Sequence, residues 1–157
     1  MSFSETNELK SMIEKALEKL YEDDRSLIKR RVDERAIVFR FGIYIQNLIL
    51  ESAKFKDYDV DVEYNKNGDN MKIINNKRNG VRPDLIIHKR ESNQANILIL
   101  EFKKSRNGRL VDRENDYYKL KEFTKKDGIY KYSLGAFIEI GEKVPEIRYF
   151  SEGKIDE

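Results

Sequence analysis

Two carboxylates and a lysine mark the ends of two short apolar runs in the stretch RPDLIIHKRESNQANILILEFKKS, Arg82 to Ser105. Asp84 follows Pro83 and opens the first run. Glu101 and Lys103 close the second. Strand side chains alternate between faces, so Glu101 and Lys103 point one way and Phe102 points the other way, into a core. If the runs pair as strands through the polar loop KRESNQA, Asp84 falls beside Glu101 at one end of a sheet. Two carboxylates so placed repel each other, and each has a raised pKa when left alone. A divalent cation relieves that cost, and the Lys103 ammonium can hold or polarise a water beside it. This is equipment for metal-assisted attack on a phosphodiester. The plain alternative is a hairpin with charged ends.

The surrounding pattern supplies elements to position these groups. Leu9, Met12, Ile13, Ala16, Leu17 and Leu20 recur at helical spacing, predicting an amphipathic helix over about 5–22 that packs on the domain or meets a partner. A second helix is expected from Asp33, a suitable N-cap, to Ser52, with Glu34 in its first turn; it is apolar nearly all round in its middle. The period then changes to two. In DYDVDVEYN, Val60, Val62 and Tyr64 alternate with Asp59, Asp61 and Glu63, which predicts a strand with one apolar and one acidic face. NKNGDN reads as a turn and MKII as a short strand. LIIH and NILILEFK are apolar on both faces, as central strands are. A helix follows over Asp112–Thr124, with Tyr117, Leu120, Phe123 and Thr124 on its inner face. LGAFIEI is a further strand and EIRYF a last edge strand. The expected class is α/β, a mixed sheet flanked by helices in one domain over 1–157.

Composition narrows the chemistry. The chain has 157 residues, enough for one core, and 38% are charged with nearly balanced signs, for a net +2. Such a balance does not by itself argue for nucleic acid; any basic footprint must come from distribution. There is no cysteine and one histidine, His88, so disulfides, thiolate nucleophiles and multi-histidine metal sites are excluded. A bound metal would take mostly oxygen ligands, which favours Mg²⁺ or Mn²⁺. No apolar run approaches the roughly 20 residues of a membrane span, and MSFSETNELK lacks the parts of a signal peptide. A cytoplasmic protein with no membrane partner is expected.

Pro83-Asp84, sixteen residues, then Glu101-Phe102-Lys103 resembles the signature of the PD-(D/E)XK nuclease superfamily, whose core is α-β-β-β-α-β. The element order matches from about Asp33 to Ile140, and DVDVEYN, RPDLIIH, EFKKS and DYYKLKEFT resemble a small bacterial branch. The resemblance implies a Mg²⁺- or Mn²⁺-dependent nuclease acting on DNA. It implies that Asp84, Glu101 and the Phe102 backbone carbonyl bind metal, and that Lys103 orients the attacking water and stabilises phosphate charge. It implies that Glu34 is the first-helix acid, and that Lys119 lies near a substrate phosphate. A non-catalytic module of the same fold, binding nucleic acid or protein, is the alternative.

Other residues are weaker candidates. Glu63 lies on a strand expected beside that of Asp84, so it is either a site residue or a solvated edge or structural acid. His88, the one candidate imidazole, reads as a solvated or hydrogen-bonded strand histidine ahead of a catalytic one. Lys103, Lys104, Arg106, Arg109 and Arg113 follow the motif, while Lys77, Arg78 and Arg82 precede it; both sets suit a phosphate backbone. Lys104, Arg106, Arg82 and Lys119 are the nucleic-acid contacts expected first. A chain this short has little room for a target-reading domain, so a homodimer or partner protein could supply specificity. The first helix is the natural candidate for that interface.

Overall fold

The computed structural model describes residues 1–30, 32–74, 80–90, 92–105 and 110–156, leaving aside the side chains of residues 110 and 111. Helix α1 (Phe3–Asp23) starts at a capping box: Ser2 accepts from the Glu5 N–H and Glu5 accepts from the Ser2 N–H. A short α2 (Arg25–Lys29) leads to α3 (Glu34–Glu51), capped by Asp33, whose side chain accepts from the Arg35 N–H. Strand β1 (Asp59–Val62) follows, then a small hairpin of β2 (Lys66–Asn67) and β3 (Asn70–Met71). The centre is built from β4 (Leu85–His88) and β5 (Leu98–Lys104). Helix α4 (Leu110–Thr124), β6 (Leu134–Ile140), β7 (Pro145–Ser151) and β8 (Lys154–Ile155) complete the described chain.

Six strands form one mixed sheet in the order β1-β4-β5-β6-β7-β8. β5 and β6 pair in parallel, and every other neighbouring pair is antiparallel. A parallel pair needs a crossover, which α4 provides. Each sheet face has its own apolar core. Leu85, Ile87, Leu98, Leu100 and Phe102 point toward α1 and α3, while Ile86, Ile99 and Phe137 point toward Leu120 and Phe123 of α4. This two-sided burial explains the unbroken apolar runs of β4, β5 and β6. Phe102 lies in the core as expected, edge-on to Phe41 with ring centroids 5.0 Å apart. No described helix is long and apolar enough to cross a membrane.

The structure corrects several local expectations. MKII is not a strand of four residues. Only Met71 pairs, in the β2–β3 hairpin; Lys72 turns inward, and its N–H and C=O bond to Asn65 and Val81 instead of a sheet neighbour. Tyr64 does not share a face with Val60 and Val62. Glu63 takes a left-handed φ of 50°, which ends β1 and swings Tyr64 onto His88 across the sheet. On the acidic face of β1, Asp61 lies against His88 and Arg90. β7 is not the edge; β8 covers it. α4 starts two residues before Asp112. α3 is not covered all round: Phe39 is 59% exposed and Leu50 58%. α1 packs on the domain, with Leu9, Ile13, Ala16 and Leu20 fully buried, so its apolar stripe is unavailable to a partner.

Candidate functional site

Pro83 and the β4–β5 register bring the first candidates together. Leu85 pairs with Leu100, so one step outward Asp84 faces Glu101. The antiparallel pairing puts both carboxylates on one face, the face covered by α4. Pro83 has no N–H to extend the ladder, and one step beyond the β1–β4 pairing the Glu63 N–H donates to the Asp84 carbonyl at 3.1 Å. Asp84 then turns its side chain along the strand end, and its Oδ2 accepts from the Phe102 N–H at 2.7 Å.

Glu101 is almost wholly buried, at 3% exposure. Its Oε2 lies 3.3 Å from Lys119 Nζ, while its buried Oε1 has no hydrogen-bond partner. Burial, then the negative charge of Asp84, pushes the Glu101 carboxyl well above the ordinary glutamate range, against the pull of Lys119. Burial likewise raises Asp84 to about 6; the Phe102 N–H opposes the shift and Glu34 adds to it. Lys103 points along the same face. Burial would lower its pKa, but Asp116 and Glu34 outweigh that and raise it.

Glu34 joins this group from the first turn of α3. Its Oε2 accepts from the Lys104 N–H at 3.1 Å, and burial raises its pKa against the attraction of Lys103 and Lys104. Asp84, Glu63, Lys103 and Lys104 line a cleft of about 730 Å³ together with Glu34, Arg35, Val38 and Phe39 of α3. Glu63 stands at the rim, bridging Arg35 Nε at 3.0 Å and Arg82 at 3.7 Å. The Lys104 side chain reaches the Val32 carbonyl. Lys119 is brought in beneath α4, on Glu101 and Asp116. Glu101 lies behind Asp84 and does not line the cleft. Arg106, Arg109, Lys77 and Arg78 lie outside the described residues. Arg113 is turned to Glu139, 2.5 Å away, in a separate depression on the sheet.

Asp116 was not singled out from sequence. It is 5% exposed, and its carboxylate joins Lys119 Nζ at 2.7 Å and Lys103 Nζ at 3.4 Å. Its spacing of three from Lys119 on a helix was the available signal, but that spacing also describes any solvated ion pair. His88 is buried and hydrogen-bonded to Asp61 at 2.9 Å, as a structural strand histidine should be.

The donor set suits a hard cation. Asp84 and Glu101 offer adjacent carboxylates, one oxygen is orphaned, the chain has no cysteine, and its one histidine is bonded to Asp61. Among the described residues, no group of three or more His, Cys, Asp or Glu side chains is gathered to hold a metal. Two carboxylates with a backbone carbonyl would leave most positions to water, which is how Mg²⁺ is commonly held. Comparison with protein-family models, with curated proteins and with solved structures finds no match to this chain.

Proposed function

We propose that the chain is a divalent-metal-dependent nuclease with a PD-(D/E)XK-type core, hydrolysing phosphodiester bonds at the Asp84 end of the central strands. One observation carries this reading: Asp84 lies opposite a buried Glu101 that has an unsatisfied oxygen, and Lys103 projects from the same face. A polar cluster that is costly when left alone, set beside a cleft, supports reading it as a site completed by a ligand. The order α3, β1, β4, β5, α4, β6 supports the core assignment, with the first three strands antiparallel and the fourth parallel to its neighbour.

Asp84, Glu101 and the Phe102 carbonyl would hold Mg²⁺ or Mn²⁺, which when bound supplies an acidified water and neutralises phosphate charge. The chain's own groups do the remainder. Asp116 holds the Lys103 ammonium and keeps it protonated, so Lys103 can orient a water by hydrogen bonding and stabilise charge developing on the phosphate. Glu34, fixed by the Lys104 N–H, presents a second carboxylate across the cleft to hold water. Lys119 gives Glu101 a cationic partner in the metal-free chain. Arg35, Arg82 and Lys104 surround the mouth with positive charge suited to a strand backbone. DNA is favoured over RNA on the resemblance alone.

The deep position of Glu101, paired to Lys119 behind the cleft, favours a second reading: a module that binds nucleic acid without cutting it. A cleavage panel separates the two. Supercoiled plasmid, linear duplex, single strands, branched DNA and RNA are each incubated with Mg²⁺, with Mn²⁺ and with chelator. Metal-dependent cutting that Lys103→Ala loses is the expected result. Binding without cutting in every lane would leave the module.

A further inference from the structure

The cleft carries an apolar feature that metal-assisted hydrolysis does not use. Phe39 on α3 is 59% exposed and Val62 at the end of β1 is 45% exposed, and both line the same cleft as Asp84 and Lys103. Phe39 is four residues from Arg35, so the ring and the guanidinium rise on one face of α3. Beneath them Val38 is 5% exposed and closes the helix onto the sheet. Gly42, the next position on that side, brings α3 close to β1: a Cβ there would meet Val62 Cγ1 at 3.7 Å and Leu85 Cδ1 at 3.5 Å. Phe39 and Val62 therefore form one apolar wall. Asp84 and Lys103 from the sheet line the same cleft, with Glu34 in the first turn of α3, and Arg35 and Arg82 meet at Glu63 on its rim.

A lone exposed phenylalanine needs no explanation on most surfaces. Here it shares a concave site with the groups proposed to cut a phosphodiester, and cations suited to phosphates flank it. The occupant that matches apolar wall, cationic rim and hydrolytic floor together is one nucleotide, with its base on the ring and its phosphates toward the cations. Bases inside a duplex have both faces covered by their neighbours, so a side chain can stack only on a base that is unpaired or has been turned out.

We propose that Phe39 is a base-stacking platform, and that the substrate is a strand presenting an unpaired nucleotide at the cleft; this rests on the nuclease reading. Val62 extends the platform, and Arg35 and Arg82 take the flanking phosphates. Glu63 holds both arginines until phosphate replaces it.

The chain has no tryptophan, so Phe39→Trp introduces a single indole at the proposed contact, excited selectively over the nine tyrosines. Binding is followed at low salt in Mg²⁺, in a Lys103→Ala background to suppress cutting. The probes are a short labelled oligothymidylate, an abasic strand of equal length and a blunt duplex. The expected result is quenching of the Phe39→Trp emission by the base-containing strand and not by the abasic one. By anisotropy, Phe39→Ala should lose roughly 5- to 100-fold in affinity for oligothymidylate, Phe39→Tyr should retain it, and abasic binding should not change. Unchanged affinity of Phe39→Ala and unquenched emission, with Lys103-dependent cleavage intact, would overturn the platform and leave the nuclease. Absence of both nucleic-acid binding and metal-dependent cutting would remove the nuclease reading itself, and the platform with it.

Discussion

Strand β4 carries a buried polar cluster at each end, and the two are built to opposite standards. At the far end, Asp61 accepts from Arg90 Nε at 2.9 Å and Nη2 at 2.6 Å and meets His88 Nε2 at 2.9 Å. Burial works against ionised Asp61, but Arg90 and His88 outweigh it and its pKa falls. At the near end, Asp84 and Glu101 face each other with one N–H and one ammonium between them, and both carboxyls are raised. A satisfied cluster stabilises the fold. An unsatisfied one costs stability, and it persists where a ligand completes it. On the proposed reading the Asp61 end is structural and the Asp84 end is the functional site.

The largest effect that can break this comparison is on activity. Lys103→Ala should reduce metal-dependent cleavage by roughly 100- to 1,000-fold, as loss of one transition-state contact does. Asp61→Asn should leave the rate of the folded protein near that of the parent. Equal losses in the two variants, in protein shown by circular dichroism to be folded, would erase the distinction.

Stability should show the reverse order. Asp61→Ala strands a buried histidine and the Arg90 fork, and should cost roughly 1–3 kcal/mol in urea unfolding. Asp84→Asn, without metal, should raise stability near neutral pH, because it removes a charge that burial disfavours. The gain is about 3 kcal/mol at most, from the difference between about 6 in the fold and 3.8 ordinarily.

The pH dependence follows with opposite signs. Asp84 holds its proton more tightly in the fold, so its contribution is greatest below about pH 4 and is lost as pH rises through about 6. Burial lowers the His88 pKa despite Asp61, so the unfolded chain takes that proton first and stability falls as pH drops below about 6.5. The stability advantage of Asp84→Asn over the parent should therefore grow between about pH 4 and 6, measured by urea midpoints. A flat difference would count against the raised Asp84 carboxyl.

The smallest effect concerns Asp116. Asp116→Asn removes the charge shared by the two lysines, and should lower cleavage several-fold while shifting the alkaline limb of the pH–rate profile downward, because Lys103 would lose its proton more readily. A merely structural Asp116 would leave that limb in place.

The same contrast explains what was readable from sequence. Central strands announce themselves by unbroken apolar runs, so β4, β5, β6 and α3 were legible, and so was the meeting of Asp84, Glu101 and Lys103, which needs only alternation and a hairpin. Features made by a single backbone exception were not. The positive φ at Glu63 has no sequence mark in a non-glycine residue, yet it decides where Tyr64 goes. α2 spans five residues and β8 two, too few for any period to register. Asp116 and Phe39 were hidden for a common reason: a charged residue on a lysine-rich helix and an aromatic on an apolar helix look ordinary until the fold shows which side faces the cleft.

The most direct test of the central claim is the thermal midpoint as Mg²⁺ is titrated into the parent protein and into Asp84→Asn. A ligand that binds only the native state must raise the midpoint with concentration. The midpoint should rise in the parent and not in Asp84→Asn, with Asp61→Asn rising from its own baseline like the parent. No rise in the parent, or an equal rise in Asp84→Asn, would contradict a cation site at the Asp84 end of the sheet.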